Sequence, residues 1–216
     1  LWALLSLTWA GRYIDILGFA EKSPIYSLKG QQVRLKPSFT GEADEILWKH
    51  NGNKAIEFSG NEELVYGTFK NRVTLDWHSA QLNITDLRFE DSGDYDLEVV
   101  IKQMLYEYNY KLEVIEKVPK PTIICELSNG SSSNKLGLLM CSAEPKHYHS
   151  IVKYGWILNG TVWHGPKLKI PLGDEPKESY SVRCWVSNTL SNESATFNTK
   201  DCYAGKISLK NQLRCT

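Results

Sequence analysis

All five cysteines of the chain, Cys125, Cys141, Cys184, Cys202 and Cys215, fall after residue 124. A chain divided in this way holds one half together without disulfides and is free to staple the other. Its 216 residues suit two units of roughly 100 residues each. A hydrophobic fraction of 42% with 11% aromatic residues supplies two packed cores and excludes a disordered chain. The 25 basic and 25 acidic side chains cancel. That balance leaves no electrostatic footprint for nucleic acid and no polybasic membrane patch, so any role for charge is local.

Helical periodicity is absent, and short alternating runs recur between turn residues. Residues 33–35, 46–49, 72–75, 82–84, 95–99 and 110–114 read as strands, and His50-Asn51-Gly52-Asn53 is a hairpin signal. The pattern restarts at 122–127, 138–143, 152–158, 168–171, 180–187 and 194–199. Between the halves lies Lys117-Val118-Pro119-Lys120-Pro121, whose two prolines favour an extended, semi-rigid connection. The expected division is therefore a first domain over 21–116, a linker over 117–121, a second domain over 122–203 and a polar tail over 204–216.

Residues 1–10 form an uncharged apolar run that resembles the hydrophobic region of a secretory signal, with cleavage after Ala10 or Ala20, so 1–20 reads as a signal remnant. No run of 18 apolar residues occurs, and no transmembrane helix is expected. The tail lacks the hydrophobic stretch of a lipid-anchor signal. Asn-x-Ser/Thr triplets stand at Asn83, Asn129, Asn159 and Asn192, where chance supplies about two, and mark glycosylation candidates. Together with the clustered cysteines they point to the oxidising secretory route.

Asp91-Ser92-Gly93-Asp94-Tyr95-Asp96-Leu97 is similar to a strand-corner motif of immunoglobulin sandwiches, Asp-x-Gly-x-Tyr-x-Cys, with Leu97 in the cysteine slot. The motif predicts that Tyr95 turns its hydroxyl onto the corner backbone while its ring enters the core, and that Asp91 pairs with Arg72. Trp48 follows the other cysteine slot, near Leu35 or Pro37, so the pin between sheets must be apolar packing. In the second half Cys141, Trp156 and Cys184 follow the Cys…Trp…Cys order, but Val182 stands where the corner tyrosine would be. Cys125 and Cys202 lie on the first and last strands. Four cysteines allow three pairings, and five with one left over allow fifteen.

Glu45-Ile46-Leu47-Trp48-Lys49, Phe69-Lys70-Asn71-Arg72-Val73-x-Leu75-Asp76 and Val118-Pro119-Lys120-Pro121-Thr122 resemble the signalling lymphocyte activation (T-cell adhesion) family of immunoglobulin proteins, over about Ser23 to Cys202. The resemblance implies an all-β chain of two tandem immunoglobulin-like sandwiches, the first variable-type without a disulfide, the second constant-type with two. It implies the pairs Cys125–Cys202 and Cys141–Cys184, leaving Cys215 unassigned. It also implies that the first domain binds an immunoglobulin-family receptor on another cell, a T-cell or natural-killer-cell adhesion receptor, through its GFCC′ face. Carried onto this chain, alternation about inward Ile46 and Trp48 sends Glu45 and Lys49 outward. The turn and next strand supply His50, Lys54 and Glu57, and Tyr66 takes the place of an aromatic contact. Asp96 and Glu98 alternate with inward Tyr95 and Leu97; Lys102 and Lys111 are further candidates. A face mixing both charge signs around one aromatic gains selectivity and on-rate more than raw affinity.

Enzyme readings find little support. The acidic run Asp91, Asp94, Asp96 and Glu98 belongs to the corner and strand just described. His147 and His149 lack a third ligand for zinc, and the cysteines lack C-x-x-C spacing. No G-x-S-x-G, Walker or G-x-G-x-x-G motif occurs. The sequence thus calls for no enzyme activity, metal, cofactor or small-molecule substrate, and for N-linked glycans. The expected role is an extracellular adhesion ligand, held at the cell surface through an anchor missing from this chain, or secreted. The alternative is a secreted decoy or pathogen-encoded mimic that blocks the same receptor.

Overall fold

The computed structural model describes residues 23–39, 41–60, 62–127, 135–143, 152–172 and 179–203. The signal-like segment 1–20, Asn129, His147, His149, Cys215 and the tail 204–216 lie outside the described residues.

Among the described residues, nine strands build the first sandwich: β1 (Ile25–Leu28), β2 (Val33–Leu35), β3 (Glu45–His50), β4 (Asn53–Ser59), β5 (Glu62–Val65), β6 (Val73–Asp76), β7 (Gln81–Ile84), β8 (Gly93–Ile101) and β9 (Met104–Ile115). One sheet has the order β1-β9-β8-β3-β4-β5 and the other β2-β7-β6. All neighbours are antiparallel except β1, which runs parallel to β9. This is the variable-type arrangement. Asn51 and Gly52 turn β3 into β4 with φ of 48° and 79°. Two successive positive φ angles match the right-handed twist of the flanking strands, which is why Asn-Gly suits a two-residue hairpin.

The core is where alternation put it. Ile46, Trp48, Tyr95, Leu97 and Val99 from the large sheet and Leu35, Leu82 and Ile84 from the small one are 0–1% exposed. Leu35 and Leu97 fill the two cysteine slots, and Trp48 donates its indole N–H to the Ala80 carbonyl at 3.0 Å. Ala80 lies in the turn joining β6 to β7, so this bond ties one sheet to the other.

The corner forms as its residues dictate. Tyr95 donates to the Asp91 carbonyl at 2.9 Å. Arg72 donates to both Asp91 carboxylate oxygens at 2.8 Å. Its other donors reach the Thr68 and Asp86 carbonyls, and the Arg88 backbone N–H donates to Asp91 at 2.8 Å. Both charges are buried, but each is paired and further hydrogen-bonded, the condition under which a buried ion pair is tolerated. Burial, and secondarily the Asp91 charge, pushes the Tyr95 phenol far above its ordinary range, so it remains a donor.

The second sandwich comprises β10 (Thr122–Leu127), β11 (Lys135–Ser142), β12 (Lys153–Leu158), β13 (Thr161–His164), β14 (Lys167–Leu172), β15 (Ser181–Ser187) and β16 (Asn192–Asn198). Its sheets are β10-β11-β14 and β13-β12-β15-β16. Cys141 on β11 bonds Cys184 on β15 across the sheets, and Cys125 on β10 bonds Cys202, which lies in a helical turn after β16 and not on the last strand as expected, with Cα atoms 6.4 and 5.3 Å apart. The segment that follows β9 is anchored on this sandwich. Val118 is buried with Ala143 and Val186, its N–H donates to the Ser191 hydroxyl, and Asn188 donates to the Glu116 carbonyl.

Two outcomes follow. Asp91→Ala strands the Arg72 charge and should destabilise the first sandwich by about 3–5 kcal/mol in chemical denaturation. A reducing agent should leave amide-exchange protection of β1–β9 unchanged. It should strip protection from β10–β16, where each closed loop contributes about 4 kcal/mol in the chain-entropy model.

Candidate functional site

Because Trp48 and Leu97 are Cα partners pointing inward, the residues between the inward positions form rows on the outer face of the large sheet. Lys54, Lys49, Asp96 and Asn109 face one another across β4, β3, β8 and β9. The next row is Glu57, Leu47, Glu98 and Glu107, and the third is Ser59, Glu45, Val100 and Leu105. Glu62 and Leu64 extend the rows onto β5, and Asp94 opposite Lys111 closes the other end.

A bulge makes the first two rows possible on β4. Lys49 pairs with Lys54 while Trp48 pairs with Ile56, so Ala55 is an extra residue. Ala55 and Ile56 are both buried, and Lys54 and Glu57 emerge on the same side despite their odd spacing. Glu57 receives Lys54 and the Tyr66 hydroxyl, and the Lys54 ammonium sits 5.7 Å from the Tyr66 ring centre. Lys49 bridges to Glu98 along the diagonal between two rows, and Asn109 donates to Asp96 at 2.6 Å.

Of the expected contact residues, Glu45, Lys49, Lys54, Glu57, Tyr66, Asp96 and Glu98 are brought together here. His50 is not. It follows Ile46 and Trp48 to the inner side, where its ring lies 4.6 Å from Tyr95 and edge-on to Phe69 at 5.5 Å. Its Nε2 is 3.1 Å from the Ser92 carbonyl. Lys102 sits at the tip of the β8–β9 hairpin, its backbone N–H on Asp44. Sequence reasoning missed Leu47, Glu62, Leu64, Asp94, Leu105, Glu107 and Asn109. Alternation from Asp96 reaches Asp94, and Leu47 lies between two named residues, but the β9 set needs the hairpin register.

The chemistry of the face follows. Seven carboxylates (Glu45, Glu57, Glu62, Asp94, Asp96, Glu98, Glu107) meet three lysines (Lys49, Lys54, Lys111). Half-buried Leu47 lies at the centre, with Leu64 and Leu105 exposed at the edges. Such a surface attracts a cationic partner and offers it a small apolar centre. Among the described residues, no group of three His, Cys, Asp or Glu side chains is placed to hold a metal ion, and no helix is long and apolar enough to cross a membrane.

No family model matches the chain. Human lymphocyte function-associated antigen 3 is 29% identical over 161 residues, 73% of this chain and 61% of that protein. Human CD48 antigen is 30% identical over 195 residues, 84% of this chain and 76% of that protein. The chain thus spans less than two thirds of the first of these relatives and three quarters of the second. Among solved structures, the CD2-binding domain of CD58 (lymphocyte function-associated antigen 3) superposes with a TM-score of 0.61 at 23% identity, covering 80% of this chain and 94% of that one. That likeness bears on the fold.

The Lys54–Glu57–Tyr66 cluster has a titration signature. Hydrogen bonds from Lys54 and then Tyr66 hold the Glu57 carboxyl below its ordinary value of 4.5. The cluster is therefore fully formed above that value and lost as pH falls through the lower folded one. An NMR titration of Glu57 should give a midpoint below 4.5, and Tyr66→Phe should move it back upward.

Proposed function

Because this chain belongs to the signalling lymphocyte activation (T-cell adhesion) family of immunoglobulin proteins, we propose that it is an extracellular adhesion ligand whose first sandwich docks an immunoglobulin-family receptor on lymphocytes. The docking surface is the outer face of β9, β8, β3 and β4, with Tyr66 at its edge. Family membership supplies the class of partner, and in the relative CD58 the domain of this fold is one that binds CD2. The observation that carries the reading to this face is the register. It aligns seven carboxylates and three lysines around Leu47 on one surface, while the opposite side of the same strands is core. The excess of carboxylates selects a receptor with a basic complementary face, steering encounter and rejecting acidic competitors.

Surface plasmon resonance against CD2-type receptors tests this. Glu45→Lys combined with Glu107→Lys should slow association about tenfold, because both act through the long-range field. Raising salt from about 0.15 to about 1 M shortens the screening length from about 8 to about 3 Å and should slow the unaltered protein in the same way. Lys54→Glu sets like charges beside Glu57 and should also weaken binding. Glu193→Lys, on β16 of the second sandwich, should change nothing. Equal losses from Glu193→Lys and the first-sandwich variants would place the docking surface elsewhere.

A further inference from the structure

The outer face of the four-stranded sheet in the second sandwich carries a shallow groove of about 400 Å³, lined by Ile157, Arg183, Trp185, Ser187, Asn192 and Ser194. Three features build it. Trp185 lies across Gly155 so closely that a Cβ there would come within 2.3 Å of the indole, so glycine is what lets this ring rest on the outside of the sheet. His164 meets the indole edge-on at 6.2 Å, steadying it from β13. Ser187 and Ser194 then flank the ring with small side chains and leave a depression beside it. Arg183, two residues along β15 and so on the same face, is exposed and makes no ion pair among the described residues.

One wall of the groove is itself a modification site. Asn192-Glu193-Ser194 is a glycosylation triplet, and both Asn192 and Ser194 are exposed. Asn192 opposes Ser187, and Ser194 opposes Trp185. Asn192 therefore stands one diagonal from Trp185, a separation of about 7–8 Å between backbones, which a single sugar residue spans. The other described triplets lack this setting. Asn159 is the first residue of the β12–β13 turn, with φ of 49°, and Asn83 lies in the middle strand of its sheet with its amide 3.5 Å from the Thr74 hydroxyl.

We propose that the groove seats the N-linked glycan of Asn192, with the innermost N-acetylglucosamine beside Trp185 and the following sugars reaching Arg183. The C–H face of a pyranose is positively polarised and packs on the negative face of an indole. The acetamide carbonyl and ring hydroxyls accept from the Arg183 guanidinium and the two serine hydroxyls. The seated glycan covers the outer sheet of the second sandwich, which leaves the first sandwich as the docking face. This inference rests on the extracellular reading above, because the sugar is attached in the secretory pathway.

The test uses the full chain secreted from mammalian cells with isotope-labelled N-acetylglucosamine. Glycopeptide mass spectrometry should find Asn192 occupied. In the NMR spectrum the innermost sugar of Asn192 should be displaced upfield by the indole ring current relative to the Asn159 glycan, with cross-relaxation to the Trp185 ring. Trp185→Leu should abolish the displacement, and Asn192→Gln, which leaves the core untouched, should delete the displaced signals and so assign them. An occupied Asn192 with undisplaced signals, or an empty Asn192 beside occupied triplets elsewhere, would overturn the proposal. Empty triplets throughout would overturn the extracellular reading along with it.

Discussion

Trp48 holds the first sandwich together in a way its counterpart in the second does not. Both indoles are fully buried. Trp48 spends its N–H on the Ala80 carbonyl of the opposite sheet, whereas Trp156 Nε1 has no hydrogen-bond partner among the described residues. An unpaired buried donor costs about 1–3 kcal/mol. In the second sandwich the Cys141–Cys184 bond crosses the sheets beside Trp156 and offsets that cost within the chain-entropy picture. The first sandwich has no covalent tie to fall back on. It relies on one indole hydrogen bond, the Leu35 and Leu97 side chains in the cysteine slots, and the buried Arg72–Asp91 pair at the corner.

The inner packing dictates the outer chemistry. A strand slipped by one residue would send every side chain to the opposite face, so burying Trp48 and Leu97 fixes Lys49, Asp96 and Glu98 outside. On β4 strict alternation fails at Ala55, and the failure is productive. Both Ala55 and Ile56 are buried, and the bulge returns Lys54 and Glu57 to the same side, within reach of Tyr66.

Much of this was legible from the residues. Asn51-Gly52 and the corner motif each encode their own local geometry, Trp48 marks the core, and the cysteine pairing came from the family resemblance. Other features have no local signature. β1 is four residues without polar alternation, and its parallel pairing with β9 is made by tertiary contact alone. The β8–β9 hairpin turns through Lys102 and Gln103 at φ of 51° and 66°, conformations that glycine or asparagine usually announces, so the twelve-residue length of β9 was hidden. His50 was misplaced for the reverse reason: its polarity suggests the outer face, but the period of two from Ile46 and Trp48 carries it inward, and the rings of Phe69 and Tyr95 receive it.

Two of the three lysines of the outer face are engaged in ion pairs on it: Lys49 with Glu98, and Lys54 with Glu57. A docking partner that claims those groups exchanges one solvent-touched ion pair for another, and water screens both alike. Under the proposed docking the gain per ion pair would then be small. Strength must come from number. Copies displayed side by side would hold each opened bond near its partner, and effective concentration would do what a single contact does not. An array bound in that way would grip as an area and peel from its margin, one pair at a time.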